Sequence, residues 1–369
     1  MAAAGGGAPN VFLDVFLLDN SRVAVAVAQD AVVADVVAGA LRALGCGARA
    51  LAVLRGCAAL VAWRGEPELP APLPALEHVQ DVFAAAGGAA LRLVLVLRLV
   101  TPGVLGLAER DAALGALLFC GAAYAVMRGR LAPDHATAVA LGALVLRMRD
   151  APPRVGELRA RAALEQVLPA ATVARFAPEA LEEELLAAYA AVGALPRAAA
   201  AARYCALLEE HPMFGVDAVF HATQRFSRDF PAQVLLGVSC DGVAVFDTPR
   251  DDAPRGAPGR ALHRVPLAAL VAWSTLPPSA DVGADGALAL DVRDEPAPPR
   301  RAWFGRRATP DDAPKPDRAV RRWIFATPHA PRLCETLNDL AAQMLREIME
   351  EEKLRKDDGA AVVEVAGAE

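Results

Sequence analysis

The segment 298–307, PPRRAWFGRR, sets Arg300, Arg301, Arg306 and Arg307 around two aromatic rings, Trp303 and Phe304, with no acid among them. Guanidinium groups hold phosphate and other anionic headgroups, each contributing about 1 kcal/mol near a charged leaflet. Trp and Phe add rings suited to the membrane–water boundary. The pattern predicts a loop that binds anionic phospholipid. The plainer reading is a solvated insert in which Asp311 and Asp312 fold back on the arginines.

Other residue patterns that could do chemistry are weaker. Gly45-Cys46-Gly47-Ala48-Arg49-Ala50 matches G-x-G-x-x-A, but a dinucleotide site needs this turn after a strand and opening a helix. Here it reads as the stop of one helix leading into a strand. The six histidines, His78, His135, His211, His221, His263 and His329, are scattered without H-E-x-x-H spacing. Glu182, Glu183 and Glu184 read as a solvated face near a helix start, where the dipole favours acids. Neither a Walker loop nor G-x-S-x-G is present. The chain is therefore expected to have no catalytic residues, no cofactor and no metal.

Composition narrows the classes further. At 369 residues the chain exceeds one average core and suggests two or three domains. It is 55% apolar and 22% charged, with a net charge of −6, which makes it a poor general nucleic-acid binder. Its six cysteines form no C-x-x-C pair and mostly lie in apolar runs. That reads as reduced thiols in a cytosolic protein. The N-terminus MAAAGGGAPN lacks the charged and apolar regions of a signal peptide. The longest uncharged apolar run, between Asp111 and Arg128, suits a buried helix better than a membrane span.

The elements that must position these residues fall into three blocks. Residues 11–98 read as a hairpin, a helix through VVADVVAGALRALG (32–45) capped by Asp30 and ended by Gly45, and further strands at ALAVL, ALVAWRG and LRLVLVLRL. This is the order of a ubiquitin-like β-grasp. Residues 99–213 read as all helix: 109–127, 134–149, 156–167, 178–192 and 197–210, punctuated by prolines. Residues 214–350 read as seven strands (218–224, 233–239, 243–247, 261–265, 269–275, 287–292 and 321–326) with a Pro- and charge-rich insert at 294–318. One helix of about twenty residues follows, with Leu333, Leu337, Leu340, Met344 and Ile348 as its apolar stripe. Such an order belongs to pleckstrin-homology and phosphotyrosine-binding folds. The charged tail 351–369 is expected to be disordered past about Lys356.

Three stretches then carry a family resemblance. LLFCGAAYAVMRGRLAPDHATAVALGALVLRM resembles the first helices of the FERM middle lobe. AAARYCALLEEHPMFGVDAVFHATQ resembles the junction into the third FERM lobe, with its aromatic-Gly turn at Phe214-Gly215. LLGVSCDGVAVFDT, LVAWS and RWIFATPHAPRLCETLNDLAAQML resemble the third lobe of talin heads and of unconventional-myosin tails. The resemblance covers roughly 11–350. It implies an α+β multi-lobe fold: a ubiquitin-like lobe, an all-helical acyl-CoA-binding-like lobe, and a PH/PTB-like seven-stranded lobe with a C-terminal helix. Talin-type third lobes often carry a basic residue before the fifth-strand Trp. Here the position holds Ala272.

The resemblance also implies a peptide groove between the fifth strand and the last helix: Leu270, Val271, Ala272, Trp273 and Ser274 opposite Leu333, Leu337 and Leu340. An extended peptide adds to such an edge as a further strand, and Trp273 would anchor it. The alternative is that Trp273 packs as core. The function expected is a non-catalytic adaptor at the inner face of the plasma membrane or cytoskeleton. It would join cytoplasmic tails of membrane proteins and anionic phospholipids to cytoskeletal proteins, without nucleic acid or a transmembrane segment. The competing class is an acyl-ligand-binding protein or enzyme using the helical lobe.

Overall fold

The computed structural model describes residues 10–66, 70–149, 152–216, 219–226, 229–239, 241–248, 259–293 and 320–366. These divide into two compact units. The first takes the residues up to Gly215 together with those from Gln343 onward; the second lies between Val216 and Ala342.

The first unit opens with strand β1 (Asn10–Phe16) and strand β2 (Arg22–Ala28), paired antiparallel from Asn10↔Ala28 to Phe16↔Arg22. The link runs over 17–21 and encloses a three-residue loop, 18–20. Asn20 takes φ +64°, and the Leu17 N–H donates to the Ser21 carbonyl at 2.8 Å. Asn is the side chain that best tolerates that left-handed conformation after Gly. The Asp19 carboxylate fixes the corner by accepting from the Ser21 N–H at 2.9 Å. Strict alternation in RVAVAVA sends Val25 and Val27 into the core and leaves Ala24, Ala26 and Ala28 exposed.

Helix α1 (Val33–Ala43) lies on this sheet through Val33, Val36, Val37, Ala40 and Leu41. A Cβ on Gly39 would fall 2.4 Å from the Val25 Cγ1, so only glycine permits that approach. Helix α2 (Ala48–Leu54), strand β3 (Ala58–Trp63), helix α3 (Val79–Ala85) and strand β4 (Arg92–Leu97) complete a four-stranded sheet of order β2-β1-β4-β3. Two sequence expectations change here. ALAVL is helix α2, not a strand: Ala and Leu favour helix intrinsically, and Ala50 and Leu54, four apart, are both buried. The G-x-G-x-x-A run therefore ends α1 and opens α2, with Gly47 as the N-cap. It still follows a helix, which is not the dinucleotide context.

Helices α4 (Pro102–Ala108), α5 (Ala112–Met127), α6 (His135–Arg147), α7 (Arg161–Leu164), α8 (Ala170–Val173), α9 (Pro178–Val192) and α10 (Arg197–Leu208) fill the rest of this unit. The Thr101 hydroxyl accepts from the Val104 N–H. Asp111 accepts from Ala113 and Leu114, and Asp134 accepts from Thr137. Each cap is worth about 1 kcal/mol. The helix expected over 156–167 is reduced to Arg161–Leu164. The cause is distant in sequence. Gly156 takes φ +92°, and the Glu182 carboxylate accepts from the Gly156 N–H at 2.6 Å and the Leu158 N–H at 3.3 Å. Those N–H groups are held by α9, so Glu182 is a buried structural acid and not part of a solvated face.

The second unit is a seven-stranded sheet. Its strands are β5 (Val219–Arg225), β6 (Gln233–Ser239), β7 (Gly242–Asp247), β8 (Ala261–Pro266), β9 (Leu270–Leu276), β10 (Ala287–Arg293) and β11 (Val320–Ala326), in the order β8-β7-β6-β5-β11-β10-β9. Gly242 starts β7 at φ +136°, where a Cβ would lie 2.1 Å from the Val265 carbonyl oxygen. Helix α11 (Ala330–Ala366) follows and runs for 37 residues, well past the expected twenty and through most of the tail expected to be disordered. Glu, Lys, Arg, Leu and Met dominate 344–356 and are good helix formers, so the charged stretch prolongs the helix. In the expected stripe, Leu333, Leu337, Leu340 and Met344 are buried, whereas Ile348 is exposed.

Candidate functional site

Strand β9 is an edge. It pairs with β10 from Ala287↔Leu276 to Val292↔Leu270, and its far side has no strand neighbour among the described residues. The register slips between Asp291 and Val292, which leaves Val271 as an extra residue in β9. Such a bulge increases the local twist and re-aims side chains. Val271, Ala272 and Ser274 are exposed, Trp273 is half-buried and Leu270 is buried. The strand thus offers backbone donors and acceptors at an edge with side chains accessible beside it.

Trp273 is tied to the helix. Its indole N–H donates to the Asn338 Oδ1 at 2.8 Å. The ring is neither free in solvent nor sealed in the core: its polar corner is satisfied and part of its surface stays open, a suitable state for an anchor. Leu333, Leu337 and Leu340 are exposed by 1%, 0% and 0%. They are core leucines of α11, so any groove here has them as its buried backing. The accessible helix residue that meets Trp273 is the polar Asn338. A lone Asn on an amphipathic helix gave no sign of this role in sequence.

A second feature was also invisible in sequence. Asp291 on β10 stands in register with Ala272 on β9 and with Arg322 on β11. The Arg322 Nε and Nη2 donate to the two Asp291 oxygens at 2.7 Å each. These hydrogen bonds outweigh partial burial and hold the Asp291 carboxyl below the usual carboxylate range. Where a basic residue stands on the edge strand in talin-type lobes, this sheet has Ala272 backed by an ion pair.

The remaining candidates lie elsewhere. Arg300, Arg301, Trp303, Phe304, Arg306 and Arg307 are outside the described residues. His135 meets the Glu184 Oε2 through Nε2 at 2.6 Å and stacks on Phe176 with centroids 4.1 Å apart. Four buried thiols are unsuited to nucleophilic work. Burial pushes Cys46 up to about 11, and Cys57, Cys120 and Cys205 up to about 12. A thiol so shifted stays protonated at neutral pH. Among the described residues, no group of three or more His, Cys, Asp or Glu could hold a metal ion. Among the same residues, no single helix is long and apolar enough to cross a membrane. The helical bundle is tightly filled at Gly142, where a Cβ would lie 2.9 Å from methyls of Leu168 and Leu185.

Comparison with known proteins adds the following. The family model of the FERM central domain matches residues 108–219. Among solved structures, the human Myosin 7b C-terminal MyTH4-FERM domain, in complex with the harmonin-a PDZ3 domain, is 14% identical. It has a TM-score of 0.60, with 91% of this chain and 60% of that chain covered. The Dictyostelium discoideum Myosin VII MyTH4-FERM MF2 domain is 10% identical, at TM-score 0.61 with 90% and 59% covered. The FERM and C-terminal domain complex of Drosophila Merlin is 15% identical, at TM-score 0.62 with 92% and 98% covered. The chain therefore spans about three fifths of the myosin chains' length and nearly all of the Merlin chain. At these identities the likeness is one of fold. No curated protein matches the chain's sequence.

Proposed function

We propose that this FERM-domain protein is a non-catalytic adaptor that joins cytoplasmic tails of membrane proteins to the cytoskeleton. The observation that carries the reading is the open edge of β9 beside Trp273, whose indole is held by Asn338 while the strand next to it stays exposed. An extended tail would add to β9 as a further strand, with backbone hydrogen bonds supplying affinity and the Trp273 face supplying selectivity. Three lobes share the work in this reading: a ubiquitin-like lobe over 11–98, a helical lobe over 99–213 and a PH-like lobe over 214–350. The PH-like lobe carries the tail site.

The arginine-rich segment 300–307 would add a second contact, to anionic phospholipid. Two weak contacts on one chain raise the effective concentration of each other, so the pair holds the protein at the inner face of the membrane better than either alone. The named solved relatives, among them a Myosin 7b module bound to a PDZ domain and a Merlin FERM domain, support a protein-binding module.

The test has two arms. An array of cytoplasmic-tail peptides is probed with the wild type and with Trp273→Ala, and tails bound by the first and lost by the second support the groove. No tail retained by the wild type sinks it. Vesicles with and without phosphoinositide are then sedimented with the wild type and with Arg300→Glu/Arg301→Glu/Arg306→Glu/Arg307→Glu. Binding of the wild type alone, to anionic vesicles alone, is the expected result. Equal binding by both proteins removes the lipid claim.

A further inference from the structure

Natural sheets protect their free edges with charge, proline, bulges or covering segments. Of the four edges among the described residues, β3 and β8 follow this rule, and β9, irregular only at Val271, is the proposed tail site. Beside β3, the Leu73 N–H donates to the Leu60 carbonyl at 2.8 Å and Pro72 bridges Val61. Strand β8 carries exposed His263 and Arg264. Strand β9 is bulged. Among the described residues, strand β2 has none of these devices: its register against β1 is unbroken over seven residues, and it contains no proline and one charge, Arg22, at its first position.

Hydrogen-bond alternation shows which groups the β2 edge presents. Leu17 and Ser21 close the hairpin at a hydrogen-bonding position, through the single bond from the Leu17 N–H to the Ser21 carbonyl, the Ser21 N–H going to Asp19. In an antiparallel ladder bonded and non-bonded pairs alternate. Val23, Val25 and Val27 therefore direct their N–H and C=O toward β1. Arg22, Ala24 and Ala26 direct theirs outward, as does the Ala28 N–H, while the Ala28 carbonyl accepts from the Ala31 N–H at 3.1 Å. The same four residues have exposed side chains on the outer face.

We infer that β2 is a self-association edge, which pairs antiparallel with β2 of a second copy of this chain about a two-fold axis at Val25. That register bonds Ala24 to the partner's Ala26 and overlaps the whole strand. Charge fits this occupant. The two Arg22 side chains lie at opposite ends, each ion-paired with Asp14 of its own β1 at 2.6 Å and facing the partner's neutral Ala28, so no like charges oppose across the seam. On the outer face small methyls meet small methyls. Phe12, 75% exposed and cross-strand from Ala26, gains the partner's Ala24 as its next neighbour. A foreign peptide finds no comparable anchor, because the outer row is alanine and the inner row is already packed on α1. The β2 edge is separate from the proposed tail site on β9.

The test is cysteine trapping in the full chain. Ala24→Cys and Ala26→Cys are mixed in a glutathione redox buffer. A covalent dimer linking 24 to 26 is expected in excess over 24–24 and 26–26 links, because only the first pair is directly opposed. Absence of that excess overturns the inference. As a second measurement, Ala24→Lys/Ala26→Lys and Ala24→Glu/Ala26→Glu are each run by sedimentation velocity, then mixed. Each alone is expected to be a folded monomer and the mixture a dimer. A wild type that sediments as a monomer up to its solubility limit, or a lysine variant that dimerises as the wild type does, contradicts the assignment.

Discussion

Two open strand edges, β2 and β9, differ in what surrounds their backbone. The β2 edge is regular and flanked by alanine methyls, so its recognition rests on backbone hydrogen bonds in a self-complementary register. The β9 edge is bulged and flanked by an indole that is itself held by a helix side chain. The first favours a partner with the same pattern and polarity. The second can select among foreign sequences, because a large ring of low conformational entropy discriminates shape. An unprotected edge need not be a defect, and its neighbours indicate which partner it suits.

The sharpest way to break the comparison is by proline. Val25→Pro removes a ladder N–H facing β1 and truncates a buried side chain. It is expected to cost about 3 kcal/mol or more. Ala26→Pro removes an N–H that faces outward, and is expected to cost under about 1 kcal/mol. Chemical denaturation reads both. Equal losses would show that the edge assignment of β2 is wrong.

On β9 the effects concern binding more than stability. Trp273→Ala should weaken a bound tail by about 30-fold, the loss typical of a hot-spot residue. Asn338→Ala should weaken it by only about threefold, one hydrogen bond's worth, with a red shift of the Trp273 emission. If the Asn338 change is the larger, the helix and not the indole does the selecting.

The smallest expected effect concerns pH. Asp291 titrates below an ordinary carboxyl because of Arg322, so its stabilising contribution is fully present above about pH 4, the unfolded value. It is lost as pH falls through the lower folded value. Asp291→Asn should therefore lower the thermal midpoint slightly at neutral pH, with the gap to wild type closing only below about pH 4. A gap that is constant with pH would deny the ion pair its role.

Much of the secondary structure was legible because it was locally encoded. RVAVAVA alternates strictly, prolines mark the starts of α9 and α10, and all seven strands of the second unit lie within two residues of their expected bounds. What failed was decided at a distance or by ambiguity. The ALAVL run satisfies both a strand and a helix, and burial of Ala50 and Leu54 settled it. The helix expected over 156–167 is undone by Glu182, more than twenty residues away. At the candidate site Trp273 could be singled out as a large ring on an apolar strand. Asn338 could not, because its partner lies 65 positions back in the chain. Nor could the row Ala272, Asp291 and Arg322, which exists only once three strands are in register.

The most direct test of the adaptor account is amide hydrogen exchange of the full chain, with and without a tail peptide selected on the array. The account predicts slowed exchange across Leu270–Leu276 on peptide addition, with β2 unchanged. A retained peptide that leaves the β9 amides unprotected would contradict strand addition at this edge, and with it the central claim.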